Sequence, residues 1–141
     1  MDAQQVLQQK LLVGDVMTID PVTVNDDFTL EAAARILHAY EITGLPVLDT
    51  AGRLVGVISR TDLLADANTP IGRLIRTRPS GIRVGEVMSS PAVTIPITAA
   101  LSDAARLMLD RHVHRLVAID DDGRPVGVLS STDFVKLYVD R

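Results

Sequence analysis

Two stretches of this chain, 71 residues apart, carry the same seven-position block: Gly56-Val57-Ile58-Ser59-Arg60-Thr61-Asp62 and Gly127-Val128-Leu129-Ser130-Ser131-Thr132-Asp133. The offset extends far beyond the block. It opens at Val13-Gly14-Asp15-Val16-Met17, matched by Val84-Gly85-Glu86-Val87-Met88, and holds without a gap to Leu64 and Val135. About twenty of about fifty aligned positions are identical. A long unit present only twice is a tandem duplication, not a solenoid. Whatever fold one copy adopts must serve both. A unit of about fifty residues is too small to bury a generous core alone, so the copies are expected to share one.

Each copy reads in the same order. Val22-Thr23-Val24 and Val93-Thr94-Ile95 are short β-type runs after a proline-containing turn. Asp27 and Thr98 align as expected N-caps. Behind them Leu30, Ala33, Ala34 and Leu37, and Leu101, Ala104, Ala105 and Met108, fall at i, i+3, i+4, i+7, giving one apolar helix face per copy. A strand follows at Leu45 to Leu48 and Leu116 to Ile119, then a loop ending in Gly52 or Gly123, then a second strand at Leu54 to Ile58 and Pro125 to Leu129. A last helix starts near Ser59 or Ser130. The unit is β-α-β-β-α, and the fold class is α+β in layers: two such repeats packed through their sheets about a pseudo-two-fold. The expected organisation is a lead-in at 1–12, repeat 1 at 13–65, a linker at 66–82, repeat 2 at 83–137 and a tail at 138–141. Asn68-Thr69-Pro70 and Arg78-Pro79-Ser80-Gly81 mark the linker as a connection, and Ile71, Leu74 and Ile75 suggest a helical turn inside it.

Composition narrows the chemistry. No cysteine is present, which excludes disulfides, thiolate metal sites and a cysteine nucleophile. The sequence holds no G-x-S-x-G elbow and no phosphate-cradling P-loop, so a non-enzyme is expected. The apolar runs fall short of the roughly 20 residues a membrane span needs, and no secretory signal is visible, leaving a cytoplasmic location as the default. A net charge of −4 speaks against a broad nucleic-acid footprint. Basic residues nevertheless gather at Arg73, Arg76, Arg78 and Arg83, and again at Arg111, His112, His114 and Arg115. Local basic spots on an acidic chain suit a small anion better than a long polyanion, although each residue alone also fits a solvated surface. His38, His112 and His114 lack a third ligand at convincing spacing, and no metal is expected.

The V-G-[DE]-V-M opening, the L-x-x-A-A-R helix, the L-[PV]-[VA]-[LI]-D strand and the G-V-[IL]-S-x-T-D close, each twice and in register, resemble CBS domains. The two copies look like a tandem pair, a Bateman module, here standing alone. The resemblance covers about residues 13–65 and 84–136. It implies an adenosine-containing ligand (AMP, ADP, ATP or S-adenosylmethionine) in a cleft between the repeats, a homodimer arranged head-to-head or head-to-tail, and regulation of a protein the sequence does not name.

Carried over residue by residue, the resemblance makes Asp62 and Asp133 acceptors for ribose hydroxyls, a task a carboxylate suits because one group takes both. It puts Ser59 and Ser130 near phosphate at a helix N-terminus. Thr61 and Thr132 stand beside them. Ile42, Gly44, Leu45 and Pro46, with Val113, His114, Arg115 and Leu116, are expected to flank the adenine. Thr23, Val24, Thr94 and Ile95 of the first strands are further candidates. His114-Arg115 replaces Thr43-Gly44 of the first copy, so phosphate is expected toward the second; Arg60, against Ser131, is the converse asymmetry. A plainer reading stands beside this one. Ser with Asp three residues on has the spacing of a capping box, and a ligand-free dimerisation or scaffold module would need nothing more.

Overall fold

The computed structural model describes residues 10–19, 21–63 and 81–139. The Gln-rich start, most of the linker with its arginines 73, 76 and 78 and its expected helical turn, and the last two residues lie outside the described residues.

The elements follow the duplicated order. Repeat 1 contributes α1 (Val13–Val16), β1 (Thr18–Ile19), β2 (Val24–Asn25), α2 (Leu30–Ala39), β3 (Gly44–Leu48), β4 (Leu54–Ser59) and α3 (Arg60–Leu63). Repeat 2 contributes α4 (Val84–Val87), β5 (Thr94–Pro96), α5 (Leu101–Arg111), β6 (Arg115–Ile119), β7 (Pro125–Ser130) and α6 (Ser131–Val139). The short strands β2 and β5 run parallel to β3 and β6, which pair antiparallel with β4 and β7. The α+β class and the β-α-β-β-α unit expected from the sequence are both present.

The chain divides into two compact units that do not coincide with the sequence repeats: Val22–Ala92 on one side, and Met1–Pro21 with Val93–Arg141 on the other. The opening V-G-x-V-M segment is the part that changes place. In the unit of repeat 2, β1 pairs antiparallel with β7, Thr18 opposite Val128 and Ile19 opposite Gly127, so the sheet runs β1-β7-β6-β5. The N–H groups of Val13 and Gly14 donate to the carbonyls of Ala99 and Ile97, both at 2.9 Å. In the unit of repeat 1, Val84 and Gly85 donate in the same way to Phe28 and Asp26, and Ser89 bridges Val57 in both directions at 2.9 and 3.0 Å. Val13 and Val84 are fully buried in these exchanged positions.

The exchange also decides how the long helices begin. The expected caps at Asp27 and Thr98 are corrected: Thr29 and Ala100 occupy the N-cap positions. Thr29 Oγ1 accepts from Ala32 N–H at 3.1 Å, whereas Ala100 has no side chain to offer. The backbone of the exchanged segments supplies what side chains do not. Leu30 N–H donates to the Ile82 carbonyl at 3.1 Å and Leu101 N–H to the Leu11 carbonyl at 2.9 Å, satisfying N-terminal donors that a helix cannot satisfy itself. Asp26 and Asp27 instead form a turn after β2, which begins at Val24, two residues later than the Val22-Thr23-Val24 run suggests.

Each unit has its own core. Leu30, Ala33 and Leu37 of α2 pack with Leu45, Val47 and Ile58 of the sheet and with Ile82, Val84 and Val87 of the exchanged segment. Leu101, Ala104 and Met108 of α5 pack with Leu116, Ala118, Leu129 and Val13. The hairpin loops are closed by Asp49 and Asp120, each accepting two backbone N–H groups at 2.9 Å. The Arg53 backbone N–H, aided by its side chain at 2.9 Å, lowers the Asp49 pKa.

Both long helices end in the same motif. Glu41 and His112 adopt φ of 54° and 55°, in the left-handed region. Their N–H groups donate to His38 and Leu109, while those of Ile42 and Val113 reach back to Leu37 and Met108 at 3.0 Å. This is the Schellman ending, with the apolar pair it usually brings and without the glycine it favours. Glu41→Gly and His112→Gly are therefore each expected to raise stability by about 0.5–1 kcal/mol, measured as an upward shift in melting temperature.

Candidate functional site

The candidate site lies where β4 or β7 runs into its helix. Gly44 opens β3 directly opposite Ser59 at the end of β4, and Arg115 opens β6 directly opposite Ser130 at the end of β7. β2 and β5 run parallel to this middle strand but begin further along it: Val24 pairs with Val47, and Thr94 with Val117. Each repeat thus sets Gly44 opposite Ser59, or Arg115 opposite Ser130, at one end of its sheet, and Thr94 lies two residues along, opposite Val117.

At that end the carboxylates act on the helix cap. Asp62 Oδ2 accepts Ser59 N–H at 2.8 Å and Ser59 Oγ–H at 3.0 Å, and Asp62 N–H lies 3.4 Å from Ser59 Oγ. Asp133 repeats the pattern with Ser130 at 2.8, 3.2 and 3.4 Å. The capping box read from the spacing is formed in both copies. It uses one carboxylate oxygen only. Oδ1 of Asp62 and of Asp133 receives no hydrogen bond from a described residue, and among the described residues no fully buried polar side-chain atom lacks a partner. Asp133 as a whole is only 7% exposed. Thr61 and Thr132 are both exposed, and Thr61 Oγ1 lies 2.7 Å from Ser59 Oγ.

The remaining candidates divide by burial. Leu45, Pro46 and Leu116 are fully buried, and Val24 and Ile95 nearly so, leaving the backbone as their route to a ligand. Thr23 is half-buried and Thr94 exposed. Ile42, Arg60, Val113 and His114 stand elsewhere, on the helical side. Ile42 and Arg60 line a hollow of about 550 Å³ between α2 and α3. Val113 and His114 line one of about 500 Å³ between α5 and α6. The carbonyls of Thr43 and His114 accept the first N–H of α3 and α6, from Arg60 and Ser131, at 2.8 Å. His114 opens to its hollow while its neighbour Arg115 sits across from Ser130, since successive residues of extended chain face opposite ways.

The sequence reading missed two sets of residues. Ala34, Leu37, His38 and Glu41, with Ala105, Met108, Leu109 and His112, continue the helix faces into the hollows at spacings already visible in the sequence. Met88 and Met17 lie across Gly56 and Gly127, the first residues of the repeated seven-residue block, with no local signal to announce it.

A duplicated β-α-β-β-α unit with a Ser-x-x-Asp helix start at each sheet end defines a tandem-repeat α+β fold, with no cluster of three or more His, Asp or Glu for a metal among the described residues. The chain belongs to the CBS domain family, whose profile matches residues 13–69 and 84–140. It is 32% identical over 136 residues to a CBS domain-containing protein of Dictyostelium discoideum, covering 92% of each. It is 33% identical to an inosine-5'-monophosphate dehydrogenase of Bifidobacterium longum, of whose length the matched 121 residues span only 21%. Among solved structures it resembles CBSX2 of Arabidopsis thaliana in complex with AMP (34% identity, TM-score 0.75, 92% of this chain and 98% of that one). It also resembles the CBS domain pair of protein MJ0100 in complex with 5-methylthioadenosine and S-adenosyl-L-methionine (25% identity, TM-score 0.77, 93% and 98%). No described helix is long and apolar enough to cross a membrane.

Proposed function

We propose that this chain is a non-catalytic regulatory module that binds an adenosine-containing ligand, AMP, ADP, ATP or S-adenosylmethionine, at its Ser-Asp sheet ends. It then passes the change to a partner protein, as a cytoplasmic homodimer. The observation that carries the reading is the half-used carboxylate. In both repeats Oδ2 caps the helix while Oδ1 takes no hydrogen bond from a described residue, so capping and acceptance of ribose hydroxyls need not compete. The AMP and S-adenosylmethionine complexes of similar CBS pairs support the ligand class. Arg115 opposite Ser130, where the first repeat has Gly44, supports phosphate in the second site, because a guanidinium pairs with phosphate bidentately. A ligand regulates only by preferring one arrangement of the module over another.

One observation favours the rival scaffold reading: both capping boxes are complete without a ligand. Titration calorimetry separates the two. Protein stripped of co-purified nucleotide should give saturable heat with at least one of AMP, ATP and S-adenosylmethionine. Silence with all of them, from protein shown to be folded, would leave the scaffold.

A further inference from the structure

Every sulfur in this chain is a thioether: the sequence has four methionines and no cysteine. Three of the four lie among the described residues, and their surroundings differ. Met108, on α5, is 7% exposed and belongs to a core. Met17 and Met88 are half-buried, each packed against a core from its margin. They are equivalent positions of the duplication, the last residue of each V-G-x-V-M segment and the residue at which α1 or α4 ends. Each sulfur fills the space that a side chain on the strand beneath would need. A Cβ on Gly127 would overlap Met17 Sδ, and one on Gly56 would stand 2.7 Å from Met88 Sδ. Glycine in both strands makes room for a thioether, and the thioether covers the strand where the exchanged segment docks.

That contact suits a thioether and not its oxide. Beside Met88, the Val57 N–H already donates to the Ser89 carbonyl at 3.0 Å and the Ser89 N–H to the Val57 carbonyl at 2.9 Å. The carbonyl oxygens of Ser89 and Thr18 stand 2.6 and 2.9 Å from the Cβ positions of Gly56 and Gly127, next to the two sulfurs. An oxygen added to either sulfur on its strand side would face a carbonyl oxygen, not a donor, and burying it there is unfavourable. It reaches water only if the side chain turns off the strand.

We propose that Met17 and Met88 are paired modification sites, oxidised to the sulfoxide by hydroperoxides, and that oxidation loosens the exchanged segments from β7 and β4. With hydrogen peroxide, the sulfur lone pair attacks one peroxide oxygen. The O–O bond breaks as the S–O bond forms, and the departing hydroxide takes the proton of the transferred oxygen and leaves as water. Sulfur loses two electrons and the peroxide gains them. A flexible apolar side chain becomes a polar one, and methionine sulfoxide reductases reverse the change. The device needs no bound ligand and stands apart from nucleotide binding.

Peroxide titration of the native full chain, followed by peptide mass spectrometry, tests the sites without any variant. Met17 and Met88 should each gain one oxygen at least about tenfold faster than Met108. Amide exchange on the oxidised protein should then quicken by about tenfold at Val13 and Gly14, and at Val84, Gly85 and Ser89, and the reductases should restore it. Met17→Leu with Met88→Leu, an apolar exchange of similar volume, should leave exchange at these amides indifferent to peroxide. Met108 keeping pace with either residue overturns the proposal. So does full oxidation of Met17 and Met88 with exchange at those amides unchanged, or quickened exchange that the reductases do not reverse.

Discussion

Replacing Asp133 with Ala is expected to weaken binding of the proposed adenosine ligand by about tenfold to a hundredfold, the equivalent of one hydrogen-bond set to a charged group. The same change lowers stability by only about 1 kcal/mol, the ordinary worth of a side-chain cap. The two effects differ because they belong to two oxygens. Oδ2 holds Ser130 through its N–H and hydroxyl, whereas Oδ1 takes no hydrogen bond from a described residue. Asp133→Asn sharpens the distinction. Its amide oxygen can still accept from Ser130, so the cap and the melting temperature should largely survive. Its amide nitrogen would bring donors to where ribose hydroxyls need an acceptor, and affinity should still fall. Calorimetry and thermal melting on the same preparations give both readings. If Asp133→Asn retains full affinity while Asp133→Ala melts early, the carboxylate is a cap and nothing more. Asp62→Ala, at the first site, reports whether the two repeats bind alike.

Much of this architecture was legible in the sequence because its signals are local. The helix faces follow a period of 3.6, the hairpins are bounded by Asp and Gly, and Ser-x-x-Asp marks each last helix. The duplication then confirmed each signal by repeating it. What the sequence hid is non-local. Nothing in Val13-Gly14-Asp15-Val16-Met17 says that it packs against residues 93–139 and not against its own repeat, because both surfaces offer the same chemistry; duplication itself makes the two partners look alike. The misplaced N-caps follow from that. Asp27 and Thr98 are better capping residues than Ala100, but the exchanged backbone at Leu11 and Ile82 satisfies the helix starts and removes the need for a side chain. The site was legible as residue types and only partly as directions. Ser and Asp are where their spacing puts them, but His114 and Arg60 turn toward the helical hollows, and Leu45 and Leu116 belong to the core.

The exchange yields the second large expectation. Gly56→Ala and Gly127→Ala should each destabilise the protein by about 1–3 kcal/mol, the usual cost of forcing an extra methyl into a packed site. A Cβ on Gly56 would stand 2.6 Å from the Ser89 carbonyl oxygen and 2.7 Å from Met88 Sδ. A Cβ on Gly127 would overlap Met17 Sδ and stand 2.9 Å from the Thr18 carbonyl oxygen. A methionine side chain can swing aside, but these carbonyls belong to the segments that pair with β4 and β7. To make room, Ser89 must loosen its two bonds to Val57, and Thr18 its pairing with Val128. Gly81→Ala is the control, since no described residue lies within 4 Å of its Cβ, and it should melt as wild type. Hydrogen exchange locates the damage. Gly127→Ala should speed exchange at Val13 and Gly14, more than a hundred residues away in sequence, because their N–H groups are held only while that segment stays docked on Ala99 and Ile97. Loss confined to β6 and β7, with Val13 and Gly14 as protected as before, would mean that the exchanged segment does not depend on Gly127. The glycine that opens each seven-residue block would then need a different explanation from the methionine lying across it.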